Sequence, residues 1–334
     1  MDGKVSLQQQ GREDYHPHMR LFIGHESALH FWQSAWSDSL DLDAQSPVRS
    51  LRYAANSAQD VQEFPLEKAG FRDGQIDILV PEANLRCTSL IHKAHVWSGP
   101  LAPGSFFEVR PGVYVASPEF AFLQMASILD LPHLVKLGDE LCSSYRGDDY
   151  DVRGFMQVKP RTSVASLARY IDKMAGCKGA KAARYALRFV VGNAASPMET
   201  ALVMLLCLPK RYGGYGLPLP EMNGVIDLNE RAADMVGKRY FRCDLLWARF
   251  RVAIEYDSDM FHTGKEKIAN DSVRRNVLGF MGINVITVTR SQLYSASGMQ
   301  SIAEQLAKAM RKREIADLRV NAATAALRDW LLHE

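Results

Sequence analysis

The 334-residue chain is 47% hydrophobic and 23% charged, the balance of an ordinary globular protein, and its length suggests two or more domains rather than one. A formal net charge of +2 excludes a global polycation, so any basic footprint for nucleic acid must be local. Five scattered cysteines (Cys87, Cys142, Cys177, Cys207, Cys243) form no CxxC pair, and no apolar run is long enough to span a bilayer; the expectation is a cytoplasmic protein without disulfides, zinc, export signal or anchor.

Residues 1–20 read as a polar leader. LFIGHESALHFWQSAW predicts a strand end and a short helix that begins near His25 or Ser27 and buries Leu29, Trp32 and Trp36; His25 and His30 there are structural or ligand-bearing. Short strands cut by Gly and Pro (IDILVP, CTSLIHKAHVW, SFFEVRPGVYVAS) make residues 21–118 a small α/β module. Ser117, Pro118 and Glu119 then open a helical region, 119–192, with helices over PEFAFLQMASIL, LPHLVKLGDELCSSY, SVASLARYIDKMA and AKAARYALRFVV.

A new unit starts at NAASPMETALVMLLCLP. Ser196 caps a helix, Pro197 occupies its first turn, and Glu199 holds the capping-box position, where it bonds back to the cap or, because the helix is nearly all apolar, is carried into the interior. RYGGYGLPLPEMN is a turn-rich connection whose glycines lack the setting of a phosphate loop, and NGVIDL is a strand. In RVAIEYD the period of two puts Glu255 and Asp257 on one face, and the short Ala248-Arg249-Phe250 link folds the strand carrying Asp244 back beside it. These three acids are solvated edge residues, or they converge on a divalent cation, for which oxygen-only ligands favour Mg²⁺ or Mn²⁺. His262 follows the acids; a helix from about Lys265 to Met281, with Lys265, Lys267, Arg274 and Arg275, ends at Gly282; INVITVT reads as a buried strand. Lys238, Arg239, Arg242, Arg249 and Arg251 complete a local basic excess. The tail, 296–334, is one or two amphipathic helices that pack on the core or on a partner, a second copy or another protein.

The order helix acid, strand Asp244, Glu255-x-Asp257, His262, Arg-bearing helix and G-x-x-V-I strand resembles the PD-(D/E)XK nuclease superfamily. DLLW…VAIEYDSDMFH…DSVRRNVLGFMGINVITVT is more closely similar to its branch related to very-short-patch-repair endonucleases. The resemblance spans about 193–295 and implies an α/β (α+β) fold with a restriction-endonuclease-like αβββαβ core and mixed sheet. It implies a bacterial Mg²⁺- or Mn²⁺-dependent endonuclease or nickase acting on DNA, with RNA an open alternative, in defence, repair or mobile-element biology. Asp244, Glu255 and Glu199 would hold the metal, Asp257 would complete or tune the site, His262 would aid proton transfer, and Lys265, Lys267, Arg274 and Arg275 would bind the DNA backbone. Two departures stand out: Asp257 replaces the superfamily's lysine, which leaves the general base open, and Ser258 replaces the glycine after it. The N-terminal part resembles, more weakly, a module of abortive-infection antitoxins, so a non-catalytic DNA- or partner-binding regulator is the alternative.

Overall fold

The computed structural model describes residues 19–71, 74–148, 150–257, 265–310 and 321–333, with backbone alone along 265–271. The chain divides into one unit of residues 1–31 and 43–117 and a second of 32–42 and 118–334.

In the first unit the short β-branched and aromatic runs form strands β1 (Leu21–Ile23), β2 (Ile76–Val80), β3 (His92–Val96), β4 (Phe106–Arg110) and β5 (Val113–Ala116), with helices α1 (His25–Trp32) and α2 (Ala58–Gln62). The sheet is mixed, in the order β3-β2-β1-β5-β4, with β1 parallel to β5 and β2 parallel to β3. Leu21, Ile23, Ile78 and Phe106 are fully buried in it. The helix expected to run through Trp36 stops at Trp32; Trp36 lies in a 3₁₀ turn and is 37% exposed, so it does not join Leu29 and Trp32 in the core.

The second unit begins with α3 (Pro118–Met125), α4 (Leu131–Leu141), the small hairpin β6 (Tyr145–Gly147) and β7 (Phe155–Gln157), α5 (Val164–Lys173) and α6 (Ala180–Ala186). Then comes α7 (Pro197–Cys207), whose side chains from Glu199 to Cys207 are all buried. The glycine-rich connection doubles back on the end of α7: Tyr215, Leu217 and Gly216 donate their amides to the carbonyls of Leu205, Leu206 and Leu208. This settles carbonyls that a helix terminus leaves unbonded.

From there the chain builds β8 (Glu221–Asp227), α8 (Glu230–Val236), β9 (Tyr240–Trp247), β10 (Val252–Asp257), α9 (Lys265–Phe280) and β11 (Asn284–Thr289). The sheet order is β11-β10-β9-β8; β8, β9 and β10 are antiparallel and β11 is parallel to β10. The β9–β10 hairpin turns through Ala248–Phe250, with Arg251 at φ 53, and Arg251 then reaches the carbonyls of Met281 and Gly282 at the end of α9. The element order is therefore helix, three antiparallel strands, helix, parallel strand, with α8 inserted after the first strand. Ile226, Phe241, Cys243, Leu246, Ala253, Val277 and Leu278 form the core between sheet and helices. β11 is half-exposed rather than buried as its β-branched sequence suggested, because it is the edge strand of this sheet. The tail forms α10 (Arg290–Tyr294), α11 (Ala296–Ala309) and α12 (Ala322–His333), and α12 packs on α7.

Candidate functional site

Glu199 sits where α7 begins. Ser196 Oγ accepts the Glu199 amide at 3.2 Å, and the Glu199 carboxylate in return accepts the Ala195 amide at 2.9 Å and the Ser196 hydroxyl at 3.0 Å. This is capping-box logic. A third donor comes from β8, Asn223 Nδ2 at 3.0 Å, from a residue held at φ 51. Glu199 is thus both cap and interior acid, only 7% exposed.

On β9 the alternation slips at Asp244. Phe241 and Cys243 share a core with Leu246, although Leu246 is of opposite parity, and the β9–β10 ladder runs only from Trp247↔Val252 to Leu245↔Ile254. Beyond it the Asp244 carboxylate takes a ladder position itself, accepting the Tyr256 amide at 2.7 Å. Glu255 follows three buried residues, Val252, Ala253 and Ile254, and meets Arg274 of α9 at 2.6 Å. The same guanidinium donates to the Arg242 carbonyl and lies 5.4 Å from the centre of the Phe241 ring. Cys243 Sγ is 3.7 Å from Glu255.

The electrostatics follow from this packing. Burial, reinforced by the nearby Asp244 charge, lifts the Glu199 carboxyl to about 7 against three hydrogen bonds that favour its ionised form. Burial also raises Asp244, opposed by the Tyr256 amide and Arg274. Burial and then Glu255 push the Cys243 thiol to about 11, which keeps it protonated and unreactive at neutral pH. Because folded Glu199 retains a proton that the unfolded chain has released, stability falls as pH rises from its ordinary 4.5 through about 7 and is level above that. Asp139, buried beneath the Val191 and Gly192 amides and also raised to about 7, acts in the same direction. Glu199→Gln is expected to flatten this slope by up to about 3 kcal/mol, read from urea unfolding at about pH 5 and about pH 8; an unchanged slope would contradict the assignment.

Among the described residues, no group of three or more His, Cys, Asp or Glu side chains is placed to hold a metal ion. Asp257 is half-buried at the end of β10, opposite Thr289 in register. His262 lies outside the described residues, Lys265 and Lys267 belong to the first turn of α9, and Arg275 is exposed. The remaining basic residues gather elsewhere: Lys238, Arg239, Arg242 and Arg274 line a groove of about 1030 Å³ between the end of α8, the start of β9 and α9, beside half-exposed Tyr240. In the first unit His25 stacks on His95 at 3.8 Å between ring centres, His95 Nε2 is 2.7 Å from Asp77, and Ser27 bonds the same carboxylate; this network ties α1 to β2 and β3.

No family model and no solved structure matches the chain. Two curated relatives do: the uncharacterized proteins MT2308 and Rv2248 of two strains of Mycobacterium tuberculosis, each 27% identical over 128 residues. The matched stretch is 38% of this chain and 42% of each relative, so the chain spans less than half the length of the curated relatives it matches. No helix among the described residues is long and apolar enough to cross a membrane.

Two participants were not singled out from the sequence. Asn223 was readable only as part of an Asn-Gly pair in a strand, a signal of local irregularity but not of its bond to Glu199. Arg274 was assigned to phosphate, whereas its register on α9 aims it at Glu255.

Proposed function

We propose that the chain is a bacterial cytoplasmic, divalent-dependent phosphodiesterase acting on DNA as an endonuclease or nickase. The observation that carries this reading is the meeting of acids from three elements: Glu199 on α7, Asp244 on β9 and Glu255 on β10, with Glu199 and Asp244 near enough for one to raise the other's pKa. They sit in a helix, three-strand, helix, strand order that fits the nuclease resemblance. Against these three carboxylates stands the Arg274 guanidinium, and buried like charges of this kind call for further positive charge.

The donor set suits Mg²⁺ or Mn²⁺, since such an ion takes one or two protein carboxylates and fills its remaining positions with water and substrate phosphate. Asp244 and Glu255 would hold it, with Glu199 behind them. When bound, the ion would polarise a phosphoryl oxygen and lower the pKa of water. The chain's own residues orient and buffer: the Tyr256 amide fixes Asp244, the Asn223 amide and Ser196 hydroxyl fix Glu199, and Glu199, at about 7, can hold or release a proton near neutral pH. Asp257 tunes the site from the end of β10 and His262 relays a proton. Lys265, Lys267 and Arg275 contact the phosphate backbone, which brings affinity without sequence specificity.

The alternative is a non-catalytic regulator that binds DNA or a partner protein, and the Arg274–Glu255 pair favours it, since a guanidinium already neutralises one acid. Thermal melting with and without Mn²⁺ separates the two. The nuclease reading expects a Mn²⁺-dependent rise in Tm in the wild type that an Asp244→Ala, Glu255→Ala double variant lacks; the same rise in both proteins would contradict it.

A further inference from the structure

We infer that Arg274 is the resident counter-cation of the acid cluster, and that it competes with a divalent ion for Glu255. The inference deepens the nuclease reading and rests on it. The guanidinium contacts Glu255 at 2.6 Å and donates to the Arg242 carbonyl with the same terminal nitrogen, and its charge lowers the pKa of Asp244 as well. One positive group therefore serves two of the three acids. An ion coordinated by carboxylate oxygens at about 2.0–2.1 Å would place two further positive charges where the guanidinium already sits, so a metal gains Glu255 only as Arg274 gives way.

The anchorage of Arg274 allows this. Its Nε is buried without a hydrogen-bond partner among the described residues, its side chain is 29% exposed, and it forms part of the wall of the groove lined by Lys238, Arg239 and Arg242. A bond left unmade inside the fold lowers the cost of leaving it. An anion in that groove, such as a phosphodiester backbone, offers Arg274 a second partner in a two-pronged geometry that a guanidinium suits. Arg274 then moves from carboxylate to phosphate, Glu255 is released to the metal, and occupancy of the groove raises metal affinity. By linkage the metal raises affinity for the phosphodiester in equal measure. In the absence of nucleic acid the centre stays closed to metal by its own arginine, which would keep a nuclease idle until its substrate is bound.

The test is isothermal titration of Mn²⁺ into the full chain without nucleic acid, in the wild type, Arg274→Gln, Arg274→Lys and Glu255→Gln, with the melting temperature of each recorded. Arg274→Gln is expected to bind Mn²⁺ about tenfold more tightly than wild type, and Arg274→Lys, which keeps the charge, to stay within about threefold of it. Glu255→Gln should lose the site. Equal or weaker binding by a folded Arg274→Gln, with Glu255 still required, would overturn the competition and leave the nuclease reading intact. Absence of Glu255-dependent binding in both wild type and Arg274→Gln would overturn the metal centre and the competition together. Should Arg274→Gln fail to fold, Arg274→Met, which fills similar space without charge, carries the same expectation.

Discussion

Glu255→Ala and Asp244→Ala are each expected to lower the rate of phosphodiester cleavage by about 10³-fold or more while the protein stays folded. The two acids stand on adjacent strands of one hairpin whose ladder ends at Leu245↔Ile254, so each side chain projects from backbone that is already free of pairing with the other strand. Removing either leaves the core of Phe241, Leu246, Ala253 and Val277 unaltered. The two variants should nevertheless differ in stability. Glu255→Ala deprives half-buried Arg274 of its carboxylate and should cost about 1–2 kcal/mol. Asp244→Ala removes the acceptor of the Tyr256 amide but also a charge that raises Glu199, two effects of opposite sign. Circular dichroism and urea unfolding beside the cleavage assay check both parts; full activity in either variant would remove that acid from the site.

The second large effect is expected at the connection behind α7. A methyl group at Gly214 would lie 2.0 Å from the Leu208 carbonyl oxygen, a backbone atom that cannot turn aside. Gly214→Ala should therefore push the 214–217 segment off the end of α7 and break the amide bonds from Tyr215, Gly216 and Leu217 that seal it. The expected loss is about 3 kcal/mol or more, measured as a shift in the urea midpoint. A neighbouring change at Gly154, where an added methyl meets nothing within 4 Å although φ is +76, serves as a control that isolates backbone strain from collision. A loss at Gly214 no larger than at Gly154 would contradict the steric account. The glycines of RYGGYG, which have no phosphate-loop setting, are thus explained by close approach of backbone to backbone.

Much of this centre is legible in the sequence because it depends on short-range rules. Ser196, Pro197 and Glu199 follow helix-start chemistry, and the capping bonds form as that chemistry requires. The three-residue link after Trp247 forces a hairpin, and the wholly apolar face of α7 forces its burial. What could not be read is long-range or irregular. The slip in alternation at Asp244 arises because a carboxylate replaces a backbone carbonyl in the ladder, which strict period-two reading does not anticipate. The Arg274–Glu255 contact depends on how α9 is rotated over β10, and sequence spacing across a loop does not fix that angle. β11 is compositionally a core strand, and only the sheet order makes it an edge. Trp36 had the right spacing for the α1 stripe, but the helix ended one turn before it.

The central claim is tested most directly by incubating the purified chain with supercoiled plasmid DNA in Mg²⁺, in Mn²⁺ and in chelator, and measuring the rate at which nicked and linear forms appear, with a labelled RNA of matched length alongside. The account expects divalent-dependent nicking of the plasmid that chelator abolishes and Glu255→Gln lacks. Intact plasmid under every metal condition, with DNA bound equally well in chelator, would contradict it and favour the regulator; cleavage confined to the RNA would keep the chemistry and overturn the choice of substrate.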